Sequence, residues 1–204
     1  MSVETTGPGA TNSGGAGAGG PGPRPRPRHA LVLGGARSGK SARAQGWAEA
    51  LGPARVYLAT AQAFDAEMED RIARHRQERG EGWSTLETPL DLPSALASAA
   101  AAPGPAAPDV LLVDCLTLWL SNLMHHEREP EAETTALLAA LAAAPCPVIL
   151  VSNELGLGLV PETPLGRAFR DAQGRLNQAA AAAVDDVVFV AAGLPLVLKG
   201  ALPA

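Results

Sequence analysis

The sequence predicts an α/β fold of three layers, a mainly parallel sheet with helices on both faces. Three observations carry that expectation. Uninterrupted apolar runs recur at 30–33, 110–113, 147–151 and 187–191, the mark of strands covered on both faces. Segments of helical composition separate them, so successive strands are joined by crossovers rather than hairpins. With 204 residues, 47% of them apolar, the chain can bury one sizeable core.

Composition narrows the class of partner. Sixteen basic residues face twenty-one acidic ones, and no Lys/Arg-rich run stands in residues 29–204, the stretch expected to fold as one domain. A nucleic-acid binder concentrates positive charge on one face, so nucleic acid is not expected as a partner. Cys115 and Cys146 lie within or beside apolar runs and form neither a disulfide framework nor a zinc pattern. No apolar run reaches the length of a membrane span, and the N-terminus lacks a signal-peptide pattern. A soluble, cytoplasmic protein is expected.

Residues 1–28 are rich in Gly, Pro, Ser and Thr and close on a Pro-Arg repeat. Little there is apolar enough to offset chain entropy, so a disordered tail is expected. A first strand at 30–33 runs into Gly34-Gly35-Ala36-Arg37-Ser38-Gly39-Lys40-Ser41. This octet fits G-x-x-x-x-G-K-[ST], the phosphate-binding P-loop, and its flanks are right: strand before, helix-forming residues 41–51 after. Its glycines let successive N–H groups turn inward around phosphate oxygens. Lys40 reaches the β- and γ-phosphates, and the Ser41 hydroxyl can ligate Mg²⁺. The expected architecture is therefore P-loop NTPase-like.

Gly52-Pro53 turns the chain into a second strand at 55–59, with Thr60-Ala61-Gln62 at its carboxyl end, where ligands bind in open α/β sheets. Residues 65–79 read as a helix, acidic in its first half and basic in its second, an order that suits the macrodipole. Met68, Ile72 and His75 share one stripe on it. Residues 83–87 suit a short strand or an extended loop, and 91–102 an Ala-rich helix. The run 110–114 ends in Asp114, the form in which a buried strand delivers a carboxylate to Mg²⁺ beside a P-loop. An N-cap for the helix at 116–126 is the alternative use of that acid. A helix at 131–144, a strand at 147–151 and the Gly-rich stretch 155–164 follow. A helix at 165–184 is expected to place Leu165, Phe169, Ala172 and Leu176 on one face, before a strand at 187–191 and a further one at 196–198.

From the P-loop and Asp114 alone, several functions stay open. A signalling GTPase needs a base-reading Asn-Lys-x-Asp, which Ser152-Asn153-Glu154-Leu155 does not supply. A P-loop ATPase or regulatory nucleotide-binding module remains possible, as does a small-molecule kinase without nucleotidyl transfer. By spacing alone, a lone histidine between arginines such as His75 is more often a solvated surface residue than a catalytic one.

Longer motifs resolve the choice. The octet 34–41, Tyr57-Leu58-Ala59-Thr60-Ala61-Gln62, the segment 67–79 followed by Trp83, the run 151–162, and Phe169-Arg170-Asp171 with 174–178 share order and spacing with one family. Over about residues 30–200 the chain resembles the bifunctional adenosylcobinamide kinase/adenosylcobinamide-phosphate guanylyltransferases of cobalamin biosynthesis. The resemblance implies two reactions. ATP or GTP phosphorylates the aminopropanol hydroxyl of adenosylcobinamide. A histidine then attacks the α-phosphate of GTP, expels pyrophosphate and carries GMP to the cobinamide phosphate, giving adenosylcobinamide-GDP.

The family's nucleophile maps onto His75, whose neutral imidazole is available near neutral pH. Some relatives carry His-His where this chain has Arg74-His75, which leaves a single candidate nucleophile. The resemblance also implies nucleotide contacts from Thr60, Ala61, Gln62, Arg76, Gln77, Glu78, Arg79, Glu87 and Asp114 beside the loop 34–41. It implies Mg²⁺ on Ser41 and Asp114, and a homo-oligomer, a trimer. Asn153 and Glu154 stand where substrate or metal belongs, or simply cap a loop. His125 and His126 fall outside these motifs and read as surface.

Overall fold

Alternate residues of strand β1 (Ala30–Gly34) bury on opposite faces of a sheet, and this divides the core in two. Leu31 and Leu33 join one cluster, Ala30 and Val32 the other. The structure, a computed structural model, describes residue 1, residues 27–62 and residues 80–201.

Helix α1 (Lys40–Leu51) follows β1, and β2 (Arg55–Ala59) and β3 (Trp83–Glu87) come next. Then come α2 (Leu92–Ala100), β4 (Val110–Asp114), α3 (Leu116–His125) and α4 (Pro130–Ala143). The chain continues through β5 (Val148–Asn153), α5 (Pro164–Ala183), β6 (Asp186–Ala191) and β7 (Leu194–Lys199). Strand order across the seven-stranded sheet is β3-β2-β4-β5-β1-β6-β7. Every pairing among β1–β6 is parallel, and only β7 runs antiparallel, against β6. The expected three layers are present, with an uneven division of helices. One face carries Leu96 of α2, Trp119 and Leu123 of α3, Leu137 and Leu141 of α4, and Leu176 of α5. On the other, Ala44, Trp47 and Ala48 of α1 pack over Val32, Leu112, Ile149 and Val188.

Several details differ from the expectations. β3 is a true strand, parallel to β2 in the edge position and largely exposed. The last strand is longer than 196–198. It is antiparallel because Ala192 (φ 50°) and Gly193 (φ 78°) both take left-handed conformations in the two-residue turn from β6, as a type I′ hairpin requires. On α5, Leu165 is exposed, and the buried stripe runs instead through Ala172, Leu176 and Ala180. The first turn of that helix lies beyond the edge of the core.

Of the expected tail, Pro27 and Arg28 are described, and the Arg28 guanidinium holds the Asp186 carboxylate at 2.5 Å. The neighbouring His29 is buried. Its Nδ1 accepts the Val148 N–H at 3.2 Å, and its own N–H donates to Asp185. This histidine is therefore a structural tie between β5 and β6. Residues 2–26 lie outside the described residues, as does the expected helix at 65–79. Both cysteines are buried and free, as expected.

Candidate functional site

Because β1–β6 run parallel, their carboxyl ends share one sheet edge, and this edge collects the chemistry. The register sets Glu87 beside Ala59, Ala59 beside Asp114, and Gly34 beside both Asn153 and Val190. The P-loop leaves β1 at Gly34. A Cβ there would stand 2.5 Å from Ser38 Oγ and 2.5 Å from the Val190 carbonyl, so only glycine fits. Gly39, at φ 94°, serves as N-cap of α1 in the left-handed region. Arg37 also takes positive φ (56°), which curls the loop back over itself.

The loop is closed by Ser38 N–H donating to the Gly35 carbonyl at 3.3 Å and by Lys40 Nζ donating to the same carbonyl at 3.1 Å. The first turn of α1 carries no acid, so no side-chain carboxylate there offsets the positive end of the helix dipole beside the loop. Ser38 Oγ is buried with no hydrogen-bond partner among the described residues, a polar atom that a phosphate oxygen would satisfy. A second brace comes from the neighbouring strand β6. The hairpin turn after β6 donates Gly193 N–H to the Ser38 carbonyl at 2.8 Å, and Arg43 of α1 donates to the Gly193 carbonyl at 3.2 Å. These braces were not visible in the sequence, since no local pattern links residue 193 to residue 38.

Thr60, at the end of β2, is fully buried. Its hydroxyl donates to the Cys115 carbonyl and accepts the Cys115 N–H, both at 2.8 Å. Asn122 of α3 donates to the Thr60 carbonyl at 2.8 Å and to the Pro89 carbonyl at 3.0 Å. The Thr60 side chain thus locks the ends of β2 and β4 together, while Ala61 and Gln62 continue along the edge, partly buried. Asp114 does not cap α3, whose N-cap is Cys115. Burial pushes the Cys115 thiol up to about 12, and the Asp114 carboxylate adds to the rise. A thiol held protonated is no nucleophile.

The largest surprise concerns spacing. β5 lies between β1 and β4, so Asp114 stands two strands from the P-loop strand, about 10 Å across the sheet. Glu87 is four strands away, about 19 Å. Between the P-loop and Asp114 stand Asn153 and Glu154, at the end of β5. Beneath them Thr117, Ser152, Gln173 and Asn177 form a buried polar cluster. Its sequence signal was faint: single polar residues on otherwise apolar faces, with Gln173 and Asn177 one turn apart. His125 and His126 are exposed and stack edge-to-face on each other. The expected nucleophile His75, with Arg76, Gln77, Glu78 and Arg79, lies outside the described residues.

The family model for cobinamide kinase / cobinamide phosphate guanyltransferase matches residues 30–198. The chain belongs to that family. It is 50% identical over 172 residues to the bifunctional adenosylcobalamin biosynthesis protein CobP of Pseudomonas aeruginosa, covering 83% of this chain and 96% of that protein. It is 40% identical to the protein CobU of Salmonella typhimurium and 39% identical to that of Escherichia coli. Each of these matches covers 83% of this chain and 98% of the relative. The match begins at the first residue of β1 and ends one residue before the end of β7, so the seven-stranded sheet is the family's unit.

Proposed function

We propose that this enzyme phosphorylates adenosylcobinamide with ATP or GTP and then transfers GMP from GTP, through a GMP-histidine, to give adenosylcobinamide-GDP. The observation that carries the reading is the single sheet edge that collects the braced P-loop, Thr60–Gln62, Asp114 and Glu87. In the first step the substrate hydroxyl oxygen bonds to the γ-phosphorus while the bridging bond to the β-phosphate breaks. Lys40 and the free N–H groups of the loop hold the charge that spreads over the phosphate oxygens. In the second step the His75 imidazole bonds to the α-phosphorus and pyrophosphate leaves. Attack of the cobinamide phosphate oxygen on the same phosphorus then frees the histidine. Arg76 and Arg79 would carry charge on the phosphates, and Gln77 and Glu78 flank them on the nucleotide.

Ser41, one residue into α1, and Asp114 offer the hard oxygen donors that Mg²⁺ takes together with substrate phosphates and water. They fit such an ion without a third protein carboxylate. When bound, the ion would neutralise charge on the phosphoryl oxygens. A homo-oligomer, a trimer, belongs to the same reading. It is supported by β7, an unpaired sheet edge on which Leu194, Leu196 and Leu198 are all exposed. Cytoplasmic action also belongs to it, supported by two free buried thiols and, among the described residues, no helix long and apolar enough to cross a membrane.

The test is covalent labelling. GTP radiolabelled on its α-phosphate should leave acid-labile, base-stable label on the protein, and His75→Ala should remove it. Label that persists in the variant refutes the nucleophile. A wild-type protein that takes no label and phosphorylates no adenosylcobinamide refutes the whole reading.

A further inference from the structure

The peptide joining Asn153 to Glu154 is clamped from both sides. Its carbonyl accepts a hydrogen bond from Asn177 Nδ2 of α5 at 3.0 Å, and its N–H donates to the Gly34 carbonyl, the first residue of the P-loop, at 3.2 Å. The preceding N–H, that of Asn153, donates to Thr117 Oγ1 of α3 at 2.8 Å. Ser152 Oγ donates to Asn177 Oδ1 at 2.7 Å, and Gln173 Nε2 donates to both Ser152 Oγ and Asn177 Oδ1 at 2.9 Å. Thr117, Ser152, Gln173 and Asn177 are 7, 0, 1 and 6% exposed. Polar groups so deeply buried are costly unless paired, and here all but Gln173 Oε1 find partners among the described residues, around one stretch of backbone. Three elements of the fold therefore converge to fix where one residue, Glu154, leaves the sheet.

Position then assigns its chemistry. Acids end three of the parallel strands or follow them directly: Glu87 on β3, Asp114 on β4 and Glu154 after β5. Only the last adjoins β1, and it follows β5, the strand between the P-loop strand and the Asp114 strand. Its Oε1 accepts the Gly156 N–H at 2.5 Å, a local turn that keeps the carboxylate near the edge. A Cβ on Gly156 would meet that oxygen at 2.8 Å, so glycine permits the approach.

We propose that Glu154 is the proton acceptor of the phosphoryl-transfer step, and that Thr117 and Asn177 are positioning residues that act through it. As the substrate hydroxyl oxygen bonds to the γ-phosphorus and the nucleoside diphosphate leaves, the hydroxyl proton passes to the Glu154 carboxylate. The proposal rests on the kinase reading above.

The experiment measures cobinamide phosphorylation and equilibrium GTP binding side by side. Glu154→Gln should lower kcat by about 100-fold or more, while GTP affinity stays within about threefold of wild type. Thr117→Val, which keeps shape but loses the acceptor for Asn153 N–H, should lower kcat with the nucleotide KM unchanged, and Thr117→Ser should restore it. The double variant Thr117→Val/Glu154→Gln should be no slower than Glu154→Gln alone, because both act on one proton transfer. A Glu154→Gln enzyme within a few-fold of the wild-type rate overturns the proposal, and so does an additive double variant. If wild-type protein binds GTP but phosphorylates no cobinamide, the kinase reading fails and the proposal with it.

Discussion

Replacing Thr60 by valine isolates what the end of β2 contributes to the fold. Valine matches threonine in shape, so the substitution removes one hydroxyl and opens no cavity. That hydroxyl makes two hydrogen bonds of 2.8 Å, to the carbonyl and the N–H of Cys115. Thr60 is 0% exposed and Cys115 5%, so water cannot replace either bond. A buried backbone group left without a partner costs about 1–3 kcal/mol. Only the Cys115 N–H is left without a partner, since the Cys115 carbonyl also accepts the Trp119 N–H at 3.2 Å, and the loss is about 2 kcal/mol. For a domain of this size that lowers Tm by about 4–8 °C. Thermal unfolding followed by circular dichroism, with urea titration as a second probe, measures it. Thr60→Ser keeps the hydroxyl and should lose only about 1 kcal/mol for the missing methyl. A Thr60→Val protein within about 1 kcal/mol of wild type would show that the tie between β2 and β4 is not what holds this edge. Thr60 would then be left with only its expected nucleotide contact.

Two further outcomes follow from the site. Lys40→Ala removes the point charge aimed into the P-loop, and kcat/KM for nucleotide should fall by about 100-fold or more while Tm moves by only a few degrees. A fall of less than tenfold would exclude Lys40 from transition-state stabilisation. For Cys115, a folded-state value raised to about 12 means that the native protein keeps a proton which the unfolded chain releases near its ordinary value of 9. Stability from this group is therefore complete below about pH 9 and is lost as pH rises from there toward 12. Tm should fall over that window more steeply in wild type than in Cys115→Ala, and the native thiol should resist maleimide at pH 8.

Strands, their order along the chain and the P-loop were legible because each rests on local chemistry. Four buried runs of Val, Leu and Ile, one glycine octet and one acid at a strand end need no knowledge of distant contacts. The exposed first turn of α5 shows the boundary of that logic. Leu165 falls on the right helical stripe, yet the stripe's first turn projects past the sheet, and periodicity carries no information about where a neighbour ends. The uneven layers escaped for the same reason: α1 covers one face of the described structure, while α2–α5 crowd the other.

By itself the sequence determined the strand–octet–helix pattern at Gly34–Ser41, which depends on residue types at fixed short spacings, and through longer motifs the family that the chain resembles. Tertiary structure alone decided that β5 separates the P-loop from Asp114. It also decided that Thr60 spends its hydroxyl on Cys115, and that Thr117 and Asn177, 60 residues apart in the chain, hold the N–H and the carbonyl of Asn153, the residue before Glu154. Strand order across a sheet is set by which crossover packs best over the whole core, a sum over all the helices that no short stretch of chain contains.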